Sequence, residues 1–341
     1  MAVIENLIAD TFGTHIGKYS ERLKVTQAQE TLVQVPLLHL KSVLITSSGV
    51  SISADALREC AERGIPVFYL DSRGHHYATL YTAGLVGTVV TRRAQILAYY
   101  DERGLSAALR MAEGKIHNQA ATLKYMAKTR KDSDPDLYDE LHRCASDVLA
   151  SLSALDEVDA ACVEEARTDV MAAEALAARR YWTAARLVLP DYYDWTGRVG
   201  RGATDPINSL LNYGYGILYG LTEQAILLAG LDPYAGFLHA DRPGKPSLVL
   251  DLIEEFRASA VDRVVFGLAN RSFIVEQDDA GRLSQETRRT LAERVLAHVE
   301  AGVRYNGKRF ALRAVMQMQA RELAAFLRGE REDYAAFKAS W

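Results

Sequence analysis

The run KSVLITSSGVSISADALRECAERGIPVFYL, residues 41–70, decides the fold of the N-terminal region. Its first six and last six residues are rich in β-branched and aromatic side chains, which is typical of strands. Between them, ADALRECAER has a helical pattern, with Ser53 placed as its N-cap and Gly64 as its C-cap. The alternation in the following SRGHHYATLYTAG indicates a further strand. We therefore predict that residues 1–88 form a small β domain.

The pattern changes to long helical periods after this region. QILAYYDERGLSAALRMAEGKIHNQAATLKYMAK, which begins at residue 95, predicts one or two helices. The acidic SDPDLYDE is a loop or a helix start before another helix over about 141–154. We predict a larger all-α domain over residues 89–325 and a C-terminal tail over residues 326–341.

The clearest helix start is the pair Asp205 and Pro206. An aspartate suits the N-cap, and proline is well tolerated at the first helical position. Gly230 is placed to end the same helix. The predicted fold class is α+β, with a small N-terminal β domain followed by a larger all-α C-terminal domain.

Composition limits the class of protein. The 341 residues, 49% of them apolar, provide enough material for two domains. Three cysteines without paired spacing (Cys60, Cys144 and Cys162) indicate a reduced cytoplasmic protein rather than a disulfide framework or a zinc site. The start MAVIENLIADTFGTH has no basic segment, and the most apolar stretch, 206–229, contains Asn and Glu. We therefore expect a soluble cytoplasmic protein without a signal peptide or membrane span.

The charge is unevenly distributed along the chain. The formal net charge is -4, yet residues 91–130 hold eight basic residues against three acidic ones. Residues 131–170 hold three basic residues against twelve acidic ones. A further basic group lies near the C-terminus: Arg304, Lys308, Arg309 and Arg313. This separation suits a polyanion-binding face on an acidic protein, and solvated helix faces are the alternative explanation.

Acidic residues lie within an apolar segment in GFLHADRPGKPSLVLDLIEEFR, residues 236–257. If Ser247 caps a helix here, Asp251 and Glu254 are three positions apart and share one face. Glu255 is one step round the helix and stays a candidate for the same role. Acids on a packed helix have fixed positions, although each of them could instead be solvated or paired with a nearby arginine.

Glu174 lies in DVMAAEALAARRYW, where its helical neighbours are small and apolar. A carboxylate on such a stripe needs a cation, a metal ion or a proton. The arginines five and six residues later cannot easily reach the same helix face, which favours the metal. Together with His239, Asp251 and Glu254, it offers one imidazole and two or three carboxylates, a set that suits Mg²⁺ or Mn²⁺. If these residues bind one metal ion, their donor atoms must converge on one point.

Other catalytic motifs are absent or incomplete. The sequence contains no HExxH, no His-Asp dipeptide and no CxxC. GVRYNGKR resembles a phosphate-binding loop but has Arg309 where a Ser or Thr must hold Mg²⁺. His75 and His76 are expected at the surface in a hairpin turn, and the tyrosines of NYGYGILYG either stack on bases or line a core.

Three stretches in succession resemble a known family: MAAEALAARRYW, then TDPINSLLNYGYGILYGLTEQAILLAGLDPYAGFLHADRPGKPSLVLDLIEEFR, then YNGKRFALRAVMQMQARELAAFL. This succession is similar to the CRISPR-associated integrase and endonuclease of the spacer-acquisition complex. The resemblance covers essentially the whole chain. It implies a small N-terminal β domain and a larger helical C-terminal domain.

The resemblance also implies the site residues. Glu174, His239 and Glu254 match the metal-binding residues of the family, and Asp251 occupies the neighbouring acidic position. Some relatives have aspartate where this chain has Glu254, a change that keeps the ligand type. The expected DNA-binding residues, of which Tyr219 and Arg257 match positions beside the DNA strands, are Arg92, Arg93, Tyr219, Arg257, Arg304, Lys308 and Arg309.

The activity implied by the resemblance is metal-dependent strand transfer, in which the 3′-hydroxyl of a short DNA fragment attacks a phosphodiester at the edge of a CRISPR repeat. The expected cofactor is Mg²⁺ or Mn²⁺. The expected partners are double-stranded DNA fragments, repeat DNA, a second copy of the chain bound through the β domain, and a small ferredoxin-like companion. Recruitment of an end-trimming nuclease stays open.

Two other functions fit the same residues. A metal-dependent nuclease acting on branched or damaged DNA would use water as the nucleophile in place of a 3′-hydroxyl. A non-catalytic DNA-binding scaffold would simply pair Glu174 inside its core.

Overall fold

The computed structural model describes residues 3–82, 88–200 and 202–340. The predicted domain boundary between residues 88 and 89 lies at the start of the second of these ranges. The chain forms two compact units, of which the first comprises Met1–Leu85, Gly202–Gly220 and Ile274–Leu296 and the second comprises Val86–Arg201, Leu221–Phe273 and Ala297–Trp341. The prediction of two contiguous domains did not include the two later segments of the first unit.

The strands lie mainly in the N-terminal region, and the helices follow. The strands are β1 (Asn6–Ala9), β2 (Thr14–Tyr19), β3 (Arg22–Gln27), β4 (Glu30–Pro36), β5 (Ser42–Ile45), β6 (Ser51–Ile52), β7 (Val67–Leu70), β8 (His76–Leu80), β9 (Gly302–Tyr305) and β10 (Lys308–Ala311). The helices are α1 (Ala54–Glu62), α2 (Thr88–Ala98), α3 (Glu102–Lys128), α4 (Pro135–Leu149), α5 (Ser153–Asp156), α6 (Val163–Arg186), α7 (Pro206–Leu228), α8 (Ser247–Leu252), α9 (Glu254–Arg257), α10 (Arg263–Ala269), α11 (Gln285–Glu300) and α12 (Leu312–Leu327). The predicted α+β class is confirmed.

The first unit contains two four-stranded sheets. One has the order β1-β5-β7-β8, in which β1, β5 and β7 are parallel and β8 is antiparallel. The other has the order β4-β3-β2-β6, with β2 and β6 parallel. The two strands predicted in residues 41–70 are β5 and β7, which pair directly. The helix between them is α1, as predicted: Ser53 Oγ accepts a hydrogen bond from the Ala56 amide at 3.3 Å, and Gly64 follows with a φ of +69°.

Apolar side chains from these strands, from α1 and from the segments that connect them form a hydrophobic core. Strand alternation explains its composition, because every second residue of a strand points to the same face. The buried members are Leu7, Ala9, Ile16, Leu23, Val25, Val35, Leu37, Leu40, Val43, Ile45, Ala56, Cys60, Ile65 and Val67.

Helix α7 begins at the position predicted from sequence. The Asn208 amide donates to Asp205 Oδ1 at 2.9 Å, and Gly230 ends the helical stretch with a φ of +79°. Glycines allow the first part of this helix to lie directly against the turn before β8. A Cβ atom at Gly216 would lie only 1.6 Å from the carbonyl oxygen of Gly74, and one at Gly74 would lie 2.4 Å from Tyr213 Cα. Tyr213 is buried, so it belongs to the core rather than to a base-stacking surface.

We expect Gly216→Ala to lower the free energy of unfolding by roughly 3 kcal/mol or more, because the new methyl group meets backbone that cannot move aside. Gly267→Ala is the matched control, since a Cβ atom there meets nothing within 4 Å and alanine favours a helix interior. Urea unfolding followed by circular dichroism measures both variants. Equal stability of Gly216→Ala and the parental chain would contradict this packing.

His76 is only partly exposed, contrary to the expectation of two surface histidines. Its ring lies 5.4 Å from the ring of Tyr219, centroid to centroid, and its Nε2 lies 2.7 Å from Thr79 Oγ1. Burial lowers the pKa of His76 to about 4, and the nearby charge of His75 adds a smaller effect in the same direction. The folded state therefore holds the neutral ring at pH values where the unfolded state takes up a proton.

This difference makes stability depend on pH. Between pH 4 and pH 6.5 the unfolded chain binds one more proton at His76, so the free energy of unfolding falls as the pH is lowered through that range. Over this interval, we expect the free energy of unfolding of the His76→Gln variant to fall by on the order of 1–2 kcal/mol less than that of the parental chain. Urea unfolding at a series of pH values tests the difference. Parallel curves for the two proteins would rule out a buried neutral His76.

The second unit is built around the long helix α3, which packs against α4, α6 and α9. The predicted helix over about 141–154 begins earlier, at Pro135, because Asp134 caps it through a 3.1 Å bond from the Leu137 amide. In the part of the chain that the structure describes, no helix combines the length and the apolar character needed to cross a membrane.

The prediction of an all-α C-terminal region was wrong for one segment. Strands β9 and β10 form an antiparallel hairpin in which Arg304 and Arg309 are register partners. The turn consists of Asn306 and Gly307, with φ values of +48° and +76°. Asn-Gly is the strongest short sequence signal for such a hairpin, and it is present in GVRYNGKR. The resemblance of this stretch to a phosphate-binding loop is therefore explained by a β-turn.

Candidate functional site

Two of the predicted acids share one largely buried cation. Helix α6 carries Glu174 and helix α9 carries Glu254, and Lys115 of α3 reaches both. Lys115 Nζ donates to Glu174 Oε1 and lies 2.9 Å from Glu254 Oε2. The exposed fraction of the side chain is 14% for Lys115, 15% for Glu174 and 6% for Glu254. Sequence reasoning identified the need for a cation at Glu174 but missed Lys115, which lies 59 residues earlier in the chain.

The charges in this cluster stabilise each other. Burial alone would lower the pKa of Lys115, but the charges of Glu254 and Glu174 raise it above its ordinary value overall. Burial would likewise raise the pKa of Glu254, but Arg257 and Lys115 hold it well below its usual range, with a smaller contribution from His239. Arg257 Nη1 lies 3.1 Å from Glu254 Oε1. Lys115, Arg257 and Glu254 are therefore all charged at neutral pH.

His239 is oriented by Asp251. Its Nδ1 lies 2.7 Å from Asp251 Oδ1, and the same carboxylate accepts hydrogen bonds from the amides of Phe237, Leu238 and His239 at 2.6, 3.0 and 2.9 Å. Asp251 is fully buried. The carboxylate is occupied by four donors, so its role in this geometry is to hold the loop and the ring. The bond at Nδ1 leaves Nε2 of His239 to accept a ligand or a proton.

The loop before α8 is also held from its carbonyl side. Arg167 of α6 donates to the carbonyl oxygens of Leu238 at 3.1 Å and Phe237 at 3.3 Å. Helix α6 therefore carries both Glu174 and a residue that fixes the loop of His239. Sequence reasoning did not identify Arg167, and no local motif marks it.

The predicted capping role of Ser247 was wrong. Ser247 is the first residue of α8, and its hydroxyl makes no capping bond. The hydroxyl instead donates to the Tyr234 carbonyl oxygen at 2.6 Å and accepts from the Gly236 amide at 2.9 Å. Ser247 and Asp251 therefore both hold the loop that carries His239.

Glu255 lies apart from this cluster. Its carboxylate accepts hydrogen bonds from the Tyr334 hydroxyl, from Gln319 Nε2 at 3.0 Å and from the Phe337 amide at 2.8 Å. Burial raises the pKa of Glu255 to about 7, against the opposing effect of these bonds. Glu255 therefore binds the C-terminal segment and not the group around Lys115.

The donor set fits a divalent cation in type and charge. Two carboxylates and an imidazole nitrogen are ligands that Mn²⁺ accepts and that Mg²⁺ tolerates. As the side chains stand in the described ranges, no three His, Cys, Asp or Glu residues are grouped closely enough to hold a metal ion. Glu174 and Glu254 meet at Lys115, and convergence of all three predicted ligands stays a prediction.

The residues expected to bind DNA have different surroundings. Arg93, Arg304, Lys308 and Arg309 are exposed, and the last three lie on the β9–β10 hairpin. Arg257 contacts Glu254, which places it inside the candidate site. Tyr219 packs on His76 in the first unit, and Arg92 is half-buried.

The basic segment 91–130 does not form one continuous basic face. Lys115 is enclosed by acids, and Arg103 pairs with Asp101 at 2.6 Å. Arg130 donates to main-chain carbonyl oxygens of Met126 and Val188 at 2.8 and 3.1 Å. The local charge excess thus overstates the charge available to a polyanion.

Two solved structures share this fold. A casposase bound to an integration product superimposes with a TM-score of 0.81 at 23% identity, covering 97% of this chain and 93% of that one. A CAS1 protein from Thermotoga maritima superimposes with a TM-score of 0.76 at 19% identity, covering 98% of this chain and 100% of that one. At these identities the likeness establishes a shared fold.

The sequence establishes the family. The pattern of the family described as CRISPR associated protein Cas1 matches residues 7–296, and the chain belongs to that family. It is 38% identical to the CRISPR-associated endonuclease Cas1 1 of Archaeoglobus fulgidus, over 98% of this chain and 99% of the relative. It is 34% identical to a protein of the same name from Francisella tularensis subsp. novicida, over 99% of this chain and all of the relative. The family predicted from sequence is confirmed.

We expect Lys115→Met to lower the free energy of unfolding by about 3 kcal/mol in the presence of a chelator, because two buried carboxylates lose their shared cation. Lys124→Met is the matched control, since Lys124 lies on the same helix and is exposed. Urea unfolding at pH 7 measures both. Adding Glu174→Gln to the Lys115→Met variant should recover part of the loss, and the two changes should couple by roughly 1–3 kcal/mol. A Lys115→Met variant as stable as the parental chain would show that the ion pairs of Lys115 contribute nothing to stability.

Proposed function

We propose that this chain is a divalent-cation-dependent DNA integrase and endonuclease that inserts short DNA fragments as new spacers into a CRISPR array. One observation carries the proposal. Glu174 and Glu254, from different helices, converge on a single largely buried cation, the Lys115 ammonium. Membership of the Cas1 family and the casposase-like fold support the class of reaction.

Glu174, Glu254 and His239 would hold the metal ion, Mg²⁺ or Mn²⁺. When bound, the ion would polarise a phosphate oxygen and stabilise the charge that develops there. Asp251 keeps Nε2 of His239 available by holding the ring at Nδ1. Lys115 and Arg257 keep Glu254 ionised, which is the form that binds cations.

The proposed reaction is a transesterification. The 3′-hydroxyl oxygen of the fragment forms a new bond to phosphorus, and the bond between that phosphorus and the 3′-oxygen of the repeat strand breaks. The attacking hydroxyl gives up its proton as its oxygen becomes the bridging ester oxygen, and the departing oxygen takes up a proton and becomes a new 3′-hydroxyl. The number of phosphodiester bonds is unchanged, so no external energy source is required.

Two rival functions have specific support. The curated relatives are named endonucleases, which favours a nuclease that uses water as the nucleophile on branched or damaged DNA. The ion pair between Lys115 and Glu174 satisfies the buried carboxylate without a metal ion, which favours a non-catalytic DNA-binding scaffold. Both rivals predict products different from those of an integrase.

The proposed partners follow from the relatives. One solved neighbour is a Cas1–DNA complex with a TM-score of 0.58, and another is a Cas6-RT-Cas1–Cas2 complex with a TM-score of 0.71. We infer that this chain binds DNA fragments and repeat DNA and works with a small ferredoxin-like companion; an end-trimming nuclease is a further candidate. Exposed apolar side chains in the N-terminal region, including Phe12, Leu32 and Leu38, suit a homodimer.

A joining assay tests the function. A labelled double-stranded fragment is incubated with a supercoiled plasmid carrying a CRISPR repeat, with Mg²⁺ or Mn²⁺ and with or without the companion. We expect joined product, and we expect Glu174→Gln and Glu254→Gln to reduce it at least about 100-fold while DNA binding persists. Asp169→Asn, an exposed acid on the same helix as Glu174, is the control and should join at the parental rate.

The product pattern distinguishes the three functions. Cut plasmid without joined strands would identify a nuclease, and DNA binding without any covalent change would identify a scaffold. Calorimetric titration with Mn²⁺ tests the metal site separately from activity. Glu174→Gln and Glu254→Gln should each weaken Mn²⁺ binding about tenfold or more, and unchanged binding would contradict the ligand assignment.

A further inference from the structure

The C-terminal segment beyond α12 has an unusual environment for irregular chain. Residues 333–340, here called the docked tail, form neither helix nor strand. Two of its aromatic side chains are nevertheless deeply buried, Tyr334 at 1% and Phe337 at 0% exposure. Terminal segments are ordinarily mobile unless specific contacts hold them. The contacts that hold this one therefore indicate what it does.

The first anchor is the Glu255 carboxylate. It accepts hydrogen bonds from two groups of the docked tail, the Tyr334 hydroxyl and the Phe337 amide, and from Gln319 of α12. Gln319 Nε2 also lies 3.0 Å from the Ala335 carbonyl oxygen. A fully buried carboxylate with this many donors fixes the tail against α9 and α12.

The second anchor is Asn118, also fully buried. Its Nδ2 donates to the main-chain oxygens of Glu255 at 2.6 Å and Phe337 at 2.8 Å. Its Oδ1 accepts from the Ala339 amide at 2.7 Å. One side chain of α3 therefore joins three parts of the structure: its own helix, the backbone of α9 and the docked tail.

Close packing completes the junction. The rings of Phe337 and Phe256 are stacked, with centroids 5.4 Å apart and planes inclined by 12°. Ala336 occupies the space beside Gly114, where a Cβ atom would lie 2.7 Å from Ala336 Cβ and 3.2 Å from Glu255 Cγ. Gly114 is therefore required for the tail to approach α3 this closely.

Two residues that contact the docked tail, Gly114 and Glu255, are chain neighbours of the charged cluster. Gly114 precedes Lys115 on α3, and Glu255 follows Glu254 on α9. Consecutive residues of a helix point in directions about 100° apart, so these pairs face different sides. Lys115 and Glu254 meet on one side, and the docked tail binds α3 and α9 through the residues beside them.

We propose that the docked tail is a positioning element that fixes Glu254 of α9 against Lys115 of α3, with Tyr334 and Phe337 as its positioning residues. The inference rests on the proposed function, since it assigns the tail to the same site. The tail belongs to no helix or strand, so a change in Phe337 removes contacts across the junction without breaking a secondary-structure element. A loosened tail leaves α9 free to move relative to α3.

The experiment compares full-length variants. Phe337→Ala removes the stacked ring, Tyr334→Phe removes only the hydroxyl bound to Glu255, and Phe337→Leu keeps most of the apolar volume. The matched control is Lys338→Ala, because Lys338 lies on the same segment but its side chain is exposed and pairs with Glu113 rather than with Glu255 or Asn118. Three quantities are measured: hydrogen exchange of the amides in 112–118 and 254–257, Mn²⁺ affinity, and the kcat and KM of DNA joining.

For Phe337→Ala we expect faster exchange in both segments, about tenfold weaker Mn²⁺ binding, and a kcat lowered about tenfold or more with KM for DNA within about twofold. Tyr334→Phe should show the same changes to a smaller degree, and Phe337→Leu should restore most of the loss. Lys338→Ala should match the parental chain in all three.

Several results would overturn the proposal. Faster exchange of the tail and of the two segments, with parental Mn²⁺ affinity and kcat, would show that the tail only packs. If Lys338→Ala lowered the Mn²⁺ affinity as much as Phe337→Ala does, the effect would not be specific to the buried aromatic residues of the tail. If the parental chain joins no DNA, the proposed function fails, and exchange in 254–257 still decides whether the tail fixes α9. Parental exchange there in a folded Phe337→Ala variant would contradict it.

Discussion

The contact of Lys115 with Glu174 and Glu254 places one positive charge between two buried carboxylates. Each of these charges would be expensive to bury alone, and burying them together requires that α3, α6 and α9 meet at fixed positions. The long helix α3 is packed against both of the others, so it sets the distance between the acids. Other contacts in the second unit hold α3, α6 and α9 in these positions.

That support is itself made of buried polar groups. Asp251 and Arg167 hold opposite sides of the loop that carries His239, one through amides and the other through carbonyl oxygens. Asn118 and Glu255 join α9 to the C-terminal segment. Each network is fully hydrogen-bonded at the atoms named, which is the condition under which a buried polar group specifies a structure rather than weakening it.

Most of the fold was predicted from local sequence signals. Contacts between residues far apart in the chain were not predicted. Ser53 and Asp205 were recognised as helix caps because a cap depends on residues three positions apart. Glu254 was distinguished from Asp251 and Glu255 by the resemblance to the family, whereas Glu174 was recognised because an acid on an apolar stripe is visible in sequence. Lys115 was not, because it joins the acids from 59 and 139 residues away. The β9–β10 hairpin carried a local Asn-Gly signal and could have been found.

The ion pair and the proposed metal site are compatible on electrostatic grounds. Glu174, Glu254, Lys115 and Arg257 carry two negative and two positive charges, so the cluster is neutral as it stands. Under the proposed function, a divalent cation held by the same carboxylates would leave two positive charges in excess. Phosphate oxygens of DNA supply the negative charge that balances such an excess, and they do so in a partly buried site where charge interactions are strong. Binding of the cation and of DNA should therefore reinforce each other. Under the proposed function, the acid pair balanced by lysine and arginine is neutral alone and adds to the attraction for DNA when it holds the cation.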